Sequence, residues 1–291
     1  MKTLAAILVC VLLGAVPASG ASGTSGISGM EAFKGLSGEL RITGSDVGLV
    51  AVREAAEAVM AENPSIKISI SMTGAGNGIR RVRLRQADIC LYDRDPANSL
   101  QSGAPLAFVP YGVDPVAVVV NPVNTVGSLT LEQIKQLFGA RIRFWNLVGG
   151  PDFPAMPLYI EASEVEGHPG TRAGNVSISS QPAMRFTLAR NKETLGYISL
   201  RDLDASLKPI AVDGSAPSLE GFRSGTYRIY RLMFAAVPQT CPPLAKAFMD
   251  YMAGPQGQAL LERSGYVPLS AKPAWESVLP VAFPDRLADG L

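Results

Sequence analysis

The stretch Ser71–Asp95 constrains the fold most, because it has the pattern of a strand end, a glycine-rich loop, a short helix and a second strand. Gly74, Gly76 and Gly78 lie in that loop. Glycines let backbone N–H groups point outward together and let a ligand approach them closely. A helix predicted to begin near Gly78 adds the positive end of its dipole. The loop therefore predicts a small-anion or polar-ligand site, and the alternative is a plain turn.

The strand after this helix supports the same interpretation. Gln86–Leu91 is predicted as a short apolar strand, and it delivers Asp93 and Arg94 to its carboxyl end. In an open α/β sheet, that end is where ligands bind. We therefore expect this polar loop to contribute to the site.

Strands and helices alternate along the rest of the chain, which predicts an α/β fold. Gly38–Thr43 is predicted as a strand, and Ser45 or Asp46 as the N-cap of the helix after it. Ala107–Val109 and Val116–Val120 are predicted as separate buried strands. This organisation suggests two α/β lobes with a cleft between them, where small-molecule sites prefer to form.

Two helices have clear local signals. Ser128–Gly139 is predicted as a helix with Thr130 as its cap. The other helix carries a basic run that we interpret as its solvated face, with apolar side chains packed inside. The basic residues are Arg80, Arg81, Arg83 and Arg85, and the apolar residues are Ile79, Val82 and Leu84.

The N-terminus has the outline of a secretory signal peptide. Lys2 precedes the apolar run Leu4–Val16, and small residues follow Pro17. We assign residues 1–20 to the signal peptide and the Gly- and Ser-rich residues 21–37 to a flexible linker. Because the run is short for a membrane span, a retained anchor is the less favoured alternative. Export implies a periplasmic or secreted protein.

Charge and residue counts exclude other classes of function. The formal net charge is +1, and nucleic-acid binding needs a basic face, so no nucleic-acid partner is predicted. His168 is the single histidine, which excludes a zinc site made of several histidines. No catalytic constellation, metal site or cofactor is predicted. Cys90 and Cys241 remain after export and either pair or stay free.

The order of several motifs resembles the substrate-binding proteins of ABC importers, in particular their phosphate-binding branch. The motifs are ITGSD, ENPSIKISISMTGAGNGI, ADICLYDRD, VDPVAVVVNPVN, LTLEQIKQLFGARIRFWNLVGG, GHPGTR, LGYISL, YRIYRLMF and AKAFMDYMAGPQGQALLERSGYVPL. They cover residues 38–270. The segments ending in WNLVGG and GYVPL are the most specific, whereas the glycine loop alone is a weak signal.

The resemblance implies an α/β, two-lobed venus-flytrap fold of the periplasmic-binding-protein type (type II). Residues 38–113 with 229–291 would form lobe one, and residues 114–228 would form lobe two. The chain would cross between the lobes near Gly112–Val116 and Gly225–Arg231. An oxyanion would lie in the cleft, held by helix N-termini and short polar side chains.

The resemblance also implies a set of ligand-binding residues from four loops. They are Ser45, Asp46, Ala75, Gly76, Asp93, Gly170, Thr171 and Arg172. Asp93 matches the acid that in the family can accept a hydrogen from a protonated phosphate oxygen. Ala75 stands where the family usually has a serine, so the second loop offers only backbone N–H groups.

Other positions also depart from the family pattern. Asp46 replaces a hydroxyl residue, Val165 an arginine, and Pro169, which has no N–H, a serine. Two carboxylates close to a dianion would each oppose it by on the order of 1–4 kcal/mol.

Two compensations are open. Arg172, directly after the Gly-Thr pair, or Arg94 supplies the missing positive charge. Alternatively, Asp46 caps its own helix and faces away from the ligand.

The function implied is an exported, non-enzymatic, monomeric solute-binding protein that captures phosphate or a related oxyanion for a membrane ABC permease. The alternative is a binding-protein fold that has lost transport and serves as an interaction or sensory module in the envelope. The degraded fourth loop favours this alternative.

Overall fold

The computed structural model describes residues 29–94, 96, 105–160 and 176–269. The strands are β1 (Gly38–Gly44), β2 (Ile66–Met72), β3 (Ile89–Tyr92), β4 (Leu106–Val120), β5 (Ser128–Leu129), β6 (Met156–Ile160), β7 (Val176–Ile178), β8 (Thr194–Ser199), β9 (Lys208–Pro209), β10 (Ala211–Val212) and β11 (Tyr230–Pro238). The helices are α1 (Leu49–Glu62), α2 (Ala75–Arg83), α3 (Leu131–Phe138), α4 (Gln181–Arg190), α5 (Leu219–Ser224), α6 (Pro243–Ala253) and α7 (Pro255–Arg263).

The main sheet has the strand order β2-β1-β3-β11-β4-β8-β6-β7, with β9 beside β4. β1 pairs in parallel with both β2 and β3, and β11 joins β3 to β4 by antiparallel pairing. On the other side of β4, β8 pairs antiparallel with β4 and parallel with β6. The carboxyl ends of β1, β2 and β3 therefore lie side by side, and the loops after them share one edge. The predicted α/β fold is confirmed.

β4 corrects one prediction. Residues 107–109 and 116–120 belong to one continuous strand rather than to two. This strand pairs with β11 as far as Pro115 and with β8 from Val116 onward. Pro110 lies where the β4–β11 register shifts, and bulges are among the places where a sheet tolerates proline. β4 thus passes from one half of the sheet to the other without interruption.

Each half of the sheet has its own hydrophobic core. In the first, α1, α6 and α7 pack against the strands around β1. In the second, α3 and a 3-10 turn at Trp145–Val148 cover β4 and β8. Trp145 is fully buried, and its indole N–H donates to the carbonyl of Glu193 at 3.0 Å. Trp145 therefore packs inside this half of the sheet.

The flexible linker predicted for residues 21–37 is wrong for Gly29–Phe33, which forms a 3-10 turn. Phe33 is fully buried, and its ring lies edge-on to Tyr251 on α6, 6.0 Å between centroids. One aromatic anchor therefore ties this segment to the first core. Residues 21–28 and the predicted signal peptide, residues 1–20, lie outside the described residues.

α2 begins at Ala75 rather than near Gly78, with Gly74 as its N-cap. Ile79 and Val82 are buried, as predicted. Leu84 is 56% exposed, so the prediction that it packs inside is wrong. The helix ends one residue earlier, at Arg83, and the helical spacing no longer directs the Leu84 side chain inward.

Thr130 caps α3 in a capping box with Gln133, as predicted. Cys90 and Cys241 are both free thiols. Across the described ranges, every helix is too short or too polar to span a membrane.

Candidate functional site

The loop after β1 carries Ser45 and Asp46. The N–H of Ser45 donates to the carbonyl of Leu91 at 2.8 Å, and the Ser45 hydroxyl oxygen accepts the N–H of Val47 at 3.2 Å. The predicted N-cap is wrong, because the N-cap of α1 is Gly48, whose φ of 81° suits glycine. The Ser45 side chain therefore stabilises its own loop.

Asp46 does not cap its own helix. Its Oδ2 accepts the backbone N–H of Gln181 at 3.2 Å. Gln181 is the first residue of α4, which packs on the second half of the sheet. The carboxylate therefore faces the cleft and contacts the positive end of a helix that lies across it.

The N-terminus of α2 faces the edge shared by the loops after β1, β2 and β3. The first N–H groups of a helix have no acceptor inside it, and Gly74 has no side chain with which to cap those of Ala75 and Gly76. The loop is held by the N–H groups of Thr73 and Gly74, which donate to the carbonyl of Gly44 at 3.2 and 3.0 Å. The first backbone N–H groups of α2 are thus directed at the edge that the loops after β1, β2 and β3 share.

Asp93 and Arg94 follow β3 directly. The Asp93 side chain is only 11% exposed, and its Oδ2 lies 3.5 Å from Nη1 of Arg231. Nη2 of Arg94 donates to the carbonyl of Ile160 at 3.3 Å, at the end of β6. Arg94 thus joins the loop after β3 to the second half of the molecule.

Arg231 on β11 is the centre of a buried polar cluster. Its Nε donates to Oδ2 of Asp114 on β4 at 2.7 Å, and the two residues are paired directly across the ladder. Asp114 is fully buried, and its Oδ1 also accepts the Ser199 hydroxyl at 2.5 Å. With the Gln181 amide oxygen facing the guanidinium, it accepts from Nη1 and Nη2 of Arg231 at 2.9 and 3.2 Å.

Burial and neighbouring charge shift the ionisation of this cluster. Burial raises the pKa of the Asp46 carboxyl and Asp93 raises it further, while the Gln181 N–H and Arg231 act in the opposite direction. Burial lowers the pKa of Arg231, but Asp114 and Asp93 more than restore it. The guanidinium therefore remains charged among the three carboxylates.

The structure brings some of the predicted residues together. Asp46 and Asp93 both interact with the charge of Arg231. Ala75 and Gly76 begin α2 at the same sheet edge. Gly170, Thr171 and Arg172 lie outside the described residues. In the part of the chain that is described, no group of three or more His, Cys, Asp or Glu side chains is arranged to hold a metal ion.

Sequence reasoning missed Arg231, Asp114 and Gln181. A signal for two of them exists, because Asp114 and Arg231 are opposite charges that interrupt apolar strand sequences. Buried charges are usually paired. Nothing local indicated that the two strands would be adjacent, or that their register would align these two residues.

The fold and the cleft define a two-lobed α/β protein of the periplasmic-binding-protein type. A family model described as the PBP superfamily domain matches residues 29–256. The chain therefore belongs to the PBP superfamily.

Two relatives of known family are similar to most of the chain. The phosphate-binding protein PstS of Bacillus subtilis (strain 168) is 26% identical over 256 residues, which cover 80% of this chain and 82% of that protein. Protein SphX of Synechococcus elongatus is 25% identical over 255 residues, which cover 75% of this chain and 73% of that protein.

Solved structures show the same fold. A putative phosphate ABC transporter substrate-binding protein with bound phosphate from Clostridium perfringens superposes with a TM-score of 0.68 at 23% identity, covering 80% of this chain and all (100%) of that one. An ABC-type phosphate transport receptor from Vibrio cholerae gives a TM-score of 0.66 at 22% identity, covering 79% of this chain and 100% of that one.

Proposed function

We propose that this chain captures phosphate or a related oxyanion in its interlobe cleft and hands it to a membrane ABC permease. The observation that carries the proposal is the sheet edge where uncapped N–H groups of α2 meet the carboxylate of Asp93 and the charge of Arg231. Helix N-termini bind oxyanions through N–H groups and dipole. The B. subtilis relative is a phosphate-binding protein and the C. perfringens structure contains bound phosphate, which agrees with this ligand.

Each part of the site has a role in this proposal. The N–H groups of Ala75 and Gly76 donate to the oxyanion, and Asp93 accepts a hydrogen from a protonated phosphate oxygen. Arg231 offsets part of the negative charge of Asp93. Ser45 and Asp46 line the ligand side of the loop after β1; Ser45 also accepts the N–H of Val47 within that loop, and Asp46 accepts the N–H of Gln181 across the cleft.

The second lobe contributes Gly170, Thr171 and Arg172 in this proposal. They belong to the segment between β6 and β7, and the end of β6 already contacts Arg94 of the first lobe. Arg172 then supplies the positive charge that the family's arginine supplies.

The same proposal also covers the lobe boundaries, the hinge and the export of the chain. Residues 38–113 with 229–291 form lobe one and residues 114–228 form lobe two, with β4 and β11 as the crossing strands. Hinge motion at these strands closes the cleft. The mature chain is an exported monomer without enzymatic activity, released from the signal peptide of residues 1–20.

Thermal unfolding of the mature protein tests the ligand. Protein stripped by unfolding and refolding is heated with phosphate, arsenate, sulfate, molybdate or no addition. A ligand at 100 times its dissociation constant stabilises by about 2.7 kcal/mol, which raises the unfolding midpoint. If none of these oxyanions raises the unfolding midpoint, the result contradicts oxyanion capture and favours the envelope interaction module.

A pair of variants tests the α2 donors. Ala75→Pro removes one N–H at the first helical position, where proline is tolerated, and Gly74 before it has a ψ of 154° that is compatible with a following proline. Because a hydrogen bond to a charged group is worth about 1.5–3 kcal/mol, we expect phosphate binding to weaken by at least tenfold. Ala75→Gly keeps the N–H, adds no hydroxyl donor and is the matched control, so equal affinities of the two variants would contradict the role of this donor.

A further inference from the structure

Three of the contacts between the two lobes cross the cleft. Asp46 accepts the N–H of Gln181, the Gln181 amide oxygen accepts from Arg231, and Arg94 donates to the carbonyl of Ile160. Two of the three involve Gln181, which begins α4. The start of α4 is therefore held both by the loop after β1 and by the crossing strand β11.

The contact between Asp46 and Gln181 has a physical basis. The N–H of Gln181 is one of the helix donors that lack an acceptor within α4, and the helix dipole favours an anion at that end. The N-cap Ser180 accepts the N–H of Ala183 at 3.3 Å and leaves the Gln181 donor for Asp46. The carboxylate thus stands where a bound anion would otherwise satisfy this helix end.

We propose that Asp46 and Gln181 form a built-in latch that positions α4 against lobe one and holds the cleft closed before any solute enters. The latch itself does not depend on the proposed function. Only its effect on the capture of phosphate rests on that function. A hydrogen bond to an ionised group corresponds to roughly a tenfold or larger shift in an equilibrium. The latch therefore raises the ratio of closed to open solute-free protein by about that factor.

The groups around Asp46 explain why a carboxylate is tolerated there. Asp93, at the end of β3, repels it, whereas Arg231 on β11 and the N–H of Gln181 on α4 attract it. A serine at this position would leave the α4 donor without an anion. A carboxylate supplies that anion from the chain itself, at the expense of repelling an oxyanion that enters the cleft.

Small-angle X-ray scattering of the solute-free protein tests the latch. We expect the solute-free wild-type protein to have a smaller radius of gyration than variants without the latch. Asp46→Ala and Gln181→Pro should each increase it, since one removes the acceptor and the other the N–H. Asp46→Asn keeps an acceptor oxygen but loses the charge, so it should restore only part of the compactness that Asp46→Ala loses.

A matched control is Asp88→Ala. Asp88 is also a carboxylate next to β3, but it pairs with Arg41 at 2.9 Å within lobe one. This variant should leave the radius of gyration unchanged. Circular dichroism at the same concentration establishes that each variant is folded before its scattering is compared.

Phosphate association kinetics give the second measurement. An unlatched cleft is open more of the time, so Asp46→Ala and Gln181→Pro should bind phosphate about tenfold faster than wild type. Scattering that is unchanged in both folded variants would overturn the latch. If phosphate does not bind wild type while both variants still expand, the latch stands and the proposed function fails.

Discussion

Replacing Arg231 by methionine removes the positive charge at the centre of the cleft while keeping an unbranched side chain in its place. Arg231 is 6% exposed, and Asp114 beside it is fully buried. After the change, the hydrogen bond from Ser199 is the one that remains to the Asp114 side chain among the described residues. Asp93 loses the guanidinium that lies 3.5 Å from it.

The expected loss of unfolding free energy is large. Removing one partner of a buried ion pair costs about 3–5 kcal/mol, because the other charge stays buried without compensation. Exposed pairs such as Arg223–Glu262, with side chains 48% and 58% exposed, contribute about 0–1 kcal/mol. Arg223→Met is therefore the matched control.

The loss should also depend on pH. Burial raises the pKa of Asp114 and Arg231 opposes that rise, so the variant's Asp114 titrates at a still higher pH in the folded protein. A carboxyl whose folded pKa is raised contributes stability below its unfolded pKa of about 3.9 and loses it as pH rises through the folded value. The deficit of the variant relative to wild type should therefore be larger at pH 8 than at pH 5.

Urea unfolding followed by circular dichroism at these two pH values measures the effect. Adding Asp114→Asn to Arg231→Met should recover much of the loss, since the uncompensated charge is then absent. A loss below about 1 kcal/mol, equal at both pH values, would refute the view that this ion pair is buried and charge-coupled.

Two further predictions concern local structure. Gly78→Ala places a Cβ 2.5 Å from Sγ of Cys90 and 2.7 Å from Cα of Gly44, so α2 must move away from the sheet. We expect the unfolding free energy measured in urea to fall by about 1–3 kcal/mol and phosphate binding to weaken. Unchanged values of both would contradict the close packing. Thr130→Ala removes the side chain that accepts the N–H of Gln133 at 3.1 Å and should lower the unfolding free energy by about 0.5–2 kcal/mol. Thr130→Ser keeps the capping hydroxyl and is the control. If it loses as much unfolding free energy, the hydroxyl is not the cause.

The candidate site was predictable where it depends on short segments. A glycine loop before a helix and an acid after a strand identified Ala75, Gly76 and Asp93, because parallel strands bring such loops to one edge. Of the two alternatives for Asp46, capping its own helix is wrong, whereas ligand contact stays a prediction, and the contact with Gln181 belongs to neither. The N–H that Asp46 accepts lies on the other lobe, so no local pattern contains this contact.

Errors in the elements also have tertiary causes. Residues 107–109 and 116–120 are predicted as separate strands, yet pairing with β11 and β8 stabilises one continuous strand. Gly- and Ser-rich composition indicated a linker, yet Phe33 finds a place in the core beside Tyr251. In both cases, burial and pairing outweigh local preference.

The sequence alone determined the alternation of strands and helices, the glycine loop and the capping of α3, because each depends on residues a few positions apart. Only the tertiary structure decided that Arg231 faces Asp114 and that Asp46 reaches the start of α4. These contacts join residues more than a hundred positions apart, and the register of β4 with β11 and the closure of the two lobes bring them together. Their physical reason is burial: charges removed from water need partners, and the partners are wherever the fold places them.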